Sequence, residues 1–412
     1  MTQRYDTYKD SGVQWLGEIP GHWGCVFINR LFNIKAGGDV KPELYADKKD
    51  ENHPFPVYTN TKSADDVYAY TSLATCPSNS ITVTGRGEVG HAIFRETPYD
   101  AIVRLLSLTP KSNIICKFYA YFIDTVIPFS SDSAAIGQLS AVQIKQKHVT
   151  LPPLSEQRSI VSFLDAKCGK IDEWVTKKQK EVEHLQELKQ RVIADAVTRG
   201  LNPHVKMKTT NIPWIKEIPE HWEIYRYGTL FKLKPVKQHH GEELLSVFLN
   251  LGVIRAAESD KRTHAASEDL SKYQLVEETD FVMNNQQAWR GSVGVSKLVG
   301  IISPAYHIFK MPNCMFPDYA NYLLRSKCMV SQFEMSSRGV GSIQRTLNFN
   351  WLNNKIVPVP PLSEQRSIVS YLDAKSSKID KLIANITKEI ECIKEYKQRL
   401  ISDVVTGQIK VC

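Results

Sequence analysis

The chain has 412 residues, 42% of them hydrophobic, and a formal net charge of +8. That length accommodates two or three domains with ordinary cores, while the lack of any run of ~18 apolar residues excludes a membrane-spanning helix and a membrane partner. The polar start, Met1 to Asp10, has no signal-peptide core, and eight scattered cysteines without a Cys-x-x-Cys pair predict reduced thiols in a cytoplasmic protein that holds no metal.

From the N-terminus, WLGEIPGHW (Trp15 to Trp23) opens a globular region. Ser80 to Val83, Ala92 to Phe94 and Ile102 to Leu108 are predicted strands, and Lys117 to Val126 is a predicted helix. Between the first two strands lies Arg86-Gly-Glu-Val-Gly90. Glycines admit positive φ and close approach, and arginine supplies a forked cation. Arg86, Gly87 and Gly90 are therefore candidate DNA-contact residues, with Asn60 and Lys62 in an upstream polar loop. The alternative is a tight hairpin turn with a solvated arginine. Gly85 completes a Gly-x-Gly-x-x-Gly dinucleotide fingerprint, but about 20 residues on, where an acidic ribose partner belongs, stands Pro110.

PPLSEQRSIVSFLDAK follows, from Pro152 to Lys167. The prolines end the preceding strand, Ser155 is the expected N-cap, and Glu156 suits the positive end of a helix. Apolar residues then recur at steps of three and four: Val161, Leu164, Cys168, Ile171, Val175, Val182, Leu185, Val192 and Ala196. That heptad seam predicts coiled-coil packing, interrupted by Lys189, which either snorkels to water or fixes register. Gly200 is the expected stop.

The chain then repeats itself. WIKEIPEHW (Trp214 to Trp222) matches the first opening, and PPLSEQRSIVSYLDAK (Pro360 to Lys375) differs from its counterpart only at Tyr371 against Phe163. Between them, Asp280 to Met283 and His307 to Phe309 are predicted strands and Pro317 to Lys327 a helix. Arg290-Gly-Ser-Val-Gly294 matches the first arginine–glycine motif. Candidate DNA contacts here are Arg290, Gly291 and Gly294, the amides of Asn284, Asn285, Gln286 and Gln287, and Arg338, Gln344 and Arg345. The second seam runs through Val369, Leu372, Ile379, Ile383, Ile386, Ile390, Ile393, Leu400 and Val404, with Lys397 at the place of Lys189 and Gly407 as stop. The repeat predicts an α+β protein: two similar globular domains (residues 1–150 and 201–358) separated by two long helices (151–200 and 359–412). The simplest pairing of those helices is an antiparallel coiled coil with an internal pseudo-twofold.

The sequence contains no phosphate-binding Gly-x-x-x-x-Gly-Lys-Ser/Thr loop, no His-Glu-x-x-His site and no Asn- or Asp-Pro-Pro-aromatic motif of amino-methyltransferases. His22 and His221 sit inside the tryptophan motifs without a neighbouring nucleophile. No catalytic residue and no cofactor are expected.

The doubled Trp-x-x-Glu-Ile-Pro-x-His-Trp and Pro-Pro-Leu-Ser-Glu-Gln-Arg segments resemble, in order and over the whole chain, the specificity subunits of bacterial type I restriction–modification enzymes. The resemblance implies two target recognition domains, each reading half of a bipartite double-stranded DNA site. It also implies two modification (methyltransferase) subunits as partners, with restriction (motor-nuclease) subunits added for cleavage. S-adenosylmethionine, ATP and magnesium would belong to those partners.

Overall fold

The computed structural model describes residues 4–129, 138–212, 215–235, 242–249, 251–258, 270, 272–339 and 345–411. The chain divides into two compact units, residues 1–179 with 388–412 and residues 180–387.

In the first unit, Tyr8–Asp10 pairs antiparallel with Glu18–Pro20. Gly24–Phe27 pairs with His148–Leu151, which ties the opening of the globular region to its end. Between them lies an antiparallel sheet in the order Phe32–Ala36, Leu106–Pro110, Ser80–Val83, Ala92–Arg95. Ser80–Val83 is buried at every position, as expected of a strand covered on both faces. The helix Cys116–Thr125 buries Cys116, Phe118, Tyr119, Ala120, Phe122 and Ile123, and all six join one core with Trp23, Phe32, Ile81 and Leu108. The strand predicted from Ile102 starts only at Leu106. Val103 and Arg104 have φ of 53° and 60°, a turn conformation that no strand contains.

The second unit repeats this frame. Met207–Ile212 pairs with Ile215–Pro219, and Glu223–Arg226 with Ile356–Val359. The sheet order is Lys232–Leu233, Tyr306–Lys310, Phe281–Asn284, Val293–Val295. The helix from Pro317 ends at Arg325, short of the expected Lys327. Ser326 turns the chain extended and donates its hydroxyl to the Leu323 carbonyl at 2.6 Å. Its own carbonyl accepts from Met329 and Val330 as a second helix, Lys327–Met335, begins.

The interiors diverge. The first unit adds a mixed sheet of Asp100–Ala101, Phe55–Tyr58, Ala69–Thr71 and Tyr45–Ala46. The second has instead a Leu245–Phe248/Gly252–Arg255 hairpin, a Gln274–Val276/Gly300–Ile302 pair and the Lys327–Met335 helix.

The long helices are Leu154–Arg199 and Leu362–Val405. Each starts one residue before the expected serine cap. Pro153 and Pro361 supply the carbonyls that accept from Gln157 and Gln365, so Ser155 and Ser363 lie inside the first turn. Of the expected seam residues, Leu164, Val175, Leu372, Ile379, Ile386, Ile390 and Leu400 are buried, and Ile171, Val182, Leu185, Val192, Ile383 and Ile393 half-buried. In the first unit, Ile160, Leu164 and Cys168 from the start of one long helix share a core with Leu400, Ile401 and Val404 from the end of the other. In the second unit, Ile368, Val369 and Leu372 share one with Ile193, Ala196 and Val197. Start against end, twice, is antiparallel pairing.

The seam lysines reach the facing helix rather than only water. Lys189 Nζ lies 2.7 Å from both carboxylate oxygens of Asp380, and Lys397 Nζ lies 2.6 and 2.7 Å from those of Asp172. The two pairs are reciprocal, each lysine and each aspartate standing at its counterpart's place in the repeat, as in an isologous interface. Gly200 and Gly407, at φ of 72° and 78°, follow the helix ends.

Candidate nucleic-acid interface

The duplicated motifs meet in space. Trp23 is fully buried, and its indole N–H needs an acceptor there. It donates to Glu156 Oε2 at 3.0 Å, the Tyr5 hydroxyl donates to the same oxygen at 2.8 Å, and His22 Nε2 lies 2.7 Å from Oε1. In the second unit the Trp222 indole N–H and His221 Nε2 lie 3.1 and 2.8 Å from Glu364 Oε2. Burial pushes the Glu156 carboxyl up, but the hydrogen bonds from His22, Tyr5 and Trp23 outweigh it and hold the group below the usual carboxylate range.

The adjacent glutamines do a second job. Gln157 accepts the Ile115 N–H at 3.0 Å and donates to the Pro152 carbonyl at 2.9 Å. Gln365 accepts the Phe316 N–H at 2.6 Å and donates to the Cys314 and Pro360 carbonyls, each at 2.8 Å. Ile115 and Phe316 immediately precede the short helices, so each long helix fixes both the tryptophan motif and the domain's own helix. His22 and His221 are parts of this latch.

In the first unit the candidate contacts gather around the loop that closes the Ser80–Val83/Ala92–Arg95 hairpin, where Val83 faces Ala92. Arg86 and Gly87 are exposed. Gly90 has a φ of 91°, and a Cβ there would lie 2.2 Å from the Phe129 ring, so the position demands glycine. Asn60 is occupied: its amide donates to the Val103 carbonyl at 2.8 Å, and its oxygen accepts the N–H groups of Gly85 and Arg86 at 2.7 and 3.2 Å. It pins the arginine loop instead of offering a free amide edge. Lys62 pairs with Glu88 on that same loop.

In the second unit the equivalent hairpin closes where Met283 faces Val293. Arg290 precedes its strand partner position by three residues, whereas Arg86 precedes Ala92 by six, so the two arginine–glycine motifs do not superpose. Gly90 corresponds in place and φ to Gly291, at 97°, while Gly294 lies within the strand opposite Val282. The expectation of matching positions is thereby corrected: a 3-10 turn, Ala288–Arg290, occupies the second loop and has no counterpart in the first.

Asn284 accepts the Gln286 N–H at 3.0 Å, and Gln286 in turn accepts the Trp289 indole N–H at 3.0 Å. Gln286 and Arg290 are exposed, Asn284, Asn285 and Gln287 half-buried, and Asn285 Oδ1 is buried without a hydrogen-bond donor. Three cation–aromatic pairs on two tryptophans, invisible to motif reading, organise this face. The Arg345 and Arg290 guanidiniums lie 4.7 and 5.6 Å from the Trp289 ring centre, and Arg338 lies 4.3 Å from that of the exposed Trp351. Such stacking holds a guanidinium flat while leaving its edge to donate. Arg345 also meets Glu334 at 3.4 Å. Gln344 lies outside the described residues. Among the described residues no cluster of metal-ligating side chains occurs.

Comparison with known proteins bears on this arrangement. A family profile, Type I restriction modification DNA specificity domain, matches residues 20–184 and 299–392. The type I restriction enzyme MjaVIII specificity subunit of Methanocaldococcus jannaschii is 24% identical over 95% of this chain and 94% of its own. Two putative type I specificity subunits of Mycoplasma pneumoniae are 29% and 30% identical over about a third of this chain, the alignments spanning 39% of those proteins. A solved chain, from work on complex assembly and conformational transition of the type I R-M system, shares the fold with a TM-score of 0.66 at 13% identity, covering 94% of this chain and 98% of that one. With the profile matched in both copies of the repeat, over more than half its length, the chain belongs to the type I restriction–modification DNA specificity family.

Proposed function

We propose that this chain is the non-catalytic, cytoplasmic specificity subunit of a type I restriction–modification complex. Residues 1–150 and 201–358 form two recognition domains, each reading one half of an asymmetric bipartite site in double-stranded DNA. The helices of residues 151–200 and 359–412 set the distance between half-sites and dock two modification subunits for adenine methylation, with restriction subunits joining for cleavage. One observation carries the reading: the same tryptophan, histidine, glutamate and glutamine hold each globular domain to its long helix, while the loops presented beyond this latch differ. A fixed frame with variable tips suits a protein that must present two readers to one continuous ligand.

Phosphate contacts would give affinity that falls steeply with salt, and base contacts would give the choice of sequence. The test is methylome mapping with a modification subunit, after replacing Trp23 to Thr150 by the equivalent segment of a relative. One half-site should change and the other stay. Both halves changing together would defeat the assignment of one domain to one half-site. The spacing role has its own test: seven residues inserted into each long helix, after Lys180 and after Lys388, add about 10 Å. The gap should grow by about three base pairs at ~3.4 Å each; an active variant with the original gap would overturn it.

A further inference from the structure

The DNA reading just proposed, on which this inference rests, requires the Asn60–Lys62 loop and the Arg86 loop to be held in one arrangement; besides Asn60 and the Lys62–Glu88 pair, the side chain of His91 joins them. His91 closes the arginine loop, its backbone N–H donating to Thr84 Oγ1 at 2.9 Å. Its ring lies between two acceptors. Nδ1 is 2.5 Å from Asp124 Oδ1, on the Cys116–Thr125 helix, and Nε2 is 2.8 Å from the Lys62 carbonyl oxygen. A neutral imidazole has one N–H and can satisfy one of these acceptors; the imidazolium satisfies both.

The charged groups nearby do not cancel that preference. Lys62 and Glu88 pair with each other, Asp66 accepts from Thr61, Asp65 lies on the same loop, and Arg86 is exposed. The hydrogen bond to Asp124 raises the His91 pKa against the opposing effect of burial. In the second unit the residue at this place is Ser292, which follows Gly291 as His91 follows Gly90. Its hydroxyl donates to the Val247 carbonyl at 2.8 Å, a link between loop and neighbouring strand that does not titrate.

We infer that His91 is a positioning residue: as an imidazolium it locks the Asn60–Lys62 loop to the Arg86 loop, which makes DNA reading by the first domain, and not the second, depend on pH. The sign follows from the raised pKa. The lock is whole below the ordinary histidine value of ~6.5 and is lost as pH rises through the higher folded value.

The experiment is fluorescence anisotropy of a labelled random-sequence duplex with the full chain, at constant ionic strength from about pH 5.5 to about pH 9, across the histidine range. Wild-type affinity should fall as pH rises, by up to about tenfold for each pKa unit that DNA binding adds to the ring. His91→Gln should abolish that step, Asp124→Asn should move it to lower pH while keeping the hydrogen bond from the Ala92 N–H, and Ser292→Ala should leave it in place. Identical profiles for wild type and His91→Gln would overturn the inference. If those profiles coincide while Arg86→Ala still weakens binding, the DNA reading stands without the histidine lock. Absence of binding by every variant at every pH would remove both.

Discussion

The latches and the loops of this protein obey opposite rules. Each latch uses the same atoms twice: an indole N–H and an imidazole nitrogen on one glutamate, and a backbone N–H on the neighbouring glutamine. The hairpin loops, set in equivalent sheets, share only a left-handed glycine before the returning strand. The first is held by an asparagine and a histidine, the second by a tryptophan flanked by arginines. A buried indole N–H tolerates few alternatives, because leaving it without an acceptor costs the full desolvation of the group. An exposed loop tip carries no such constraint, and many side-chain sets can hold it.

That contrast can be broken at the latch first, where the largest effect is expected. Glu156 serves three donors and Glu364 two, so Glu156→Ala should destabilise by about 3 kcal/mol and Glu364→Ala by about 2, at about 1 kcal/mol for each hydrogen bond, the usual net worth of one in a folded protein. Urea unfolding read at both units checks this; equal losses would mean that Tyr5 adds nothing. The depressed Glu156 carboxyl gives a further signature. Its contribution is present above the unfolded glutamate value of ~4.3 and is lost as pH falls through the lower folded value. The stability gap between wild type and Glu156→Gln should therefore close in acid.

The loops come next. Arg86→Ala and Arg290→Ala should each weaken DNA binding while leaving the unfolding midpoint in place. A base contact would be worth ~1–3 kcal/mol on the cognate half-site alone; a phosphate contact would lower affinity on every sequence and flatten the salt slope. Equal loss from both variants on all DNA would assign the two arginines one phosphate-binding role despite their different places. Unchanged affinity in both would make them solvated turn residues.

The smallest effect belongs to the seam. Lys189→Ala or Lys397→Ala should cost only ~0.2–1 kcal/mol, because the partner aspartates are more than half exposed and water screens the pair. A double-mutant cycle with Asp380 or Asp172 measures the coupling. Values for the two reciprocal pairs should agree, and a large difference would show that the helix pair is not energetically symmetric.

Local order was legible in the chain alone. The duplicated plan, the α+β class, the long helices with their three-and-four seam and the glycines that end them follow from spacing, since helix period and backbone freedom are properties of neighbours. What tertiary structure alone decided is which distant groups meet. Trp23 finds its acceptor 133 residues away and Lys189 its aspartate 191 residues away, and no spacing rule carries such distances. The same holds for Arg86 and Arg290, alike in motif yet placed differently because one loop winds a 3-10 turn that the other lacks. Ser326 likewise breaks a helix that the pattern would continue, because its hydroxyl and carbonyl satisfy the ends of two helices at once. Periodicity reports the face an element buries; only the folded chain sets the partner that each polar atom on that face must find.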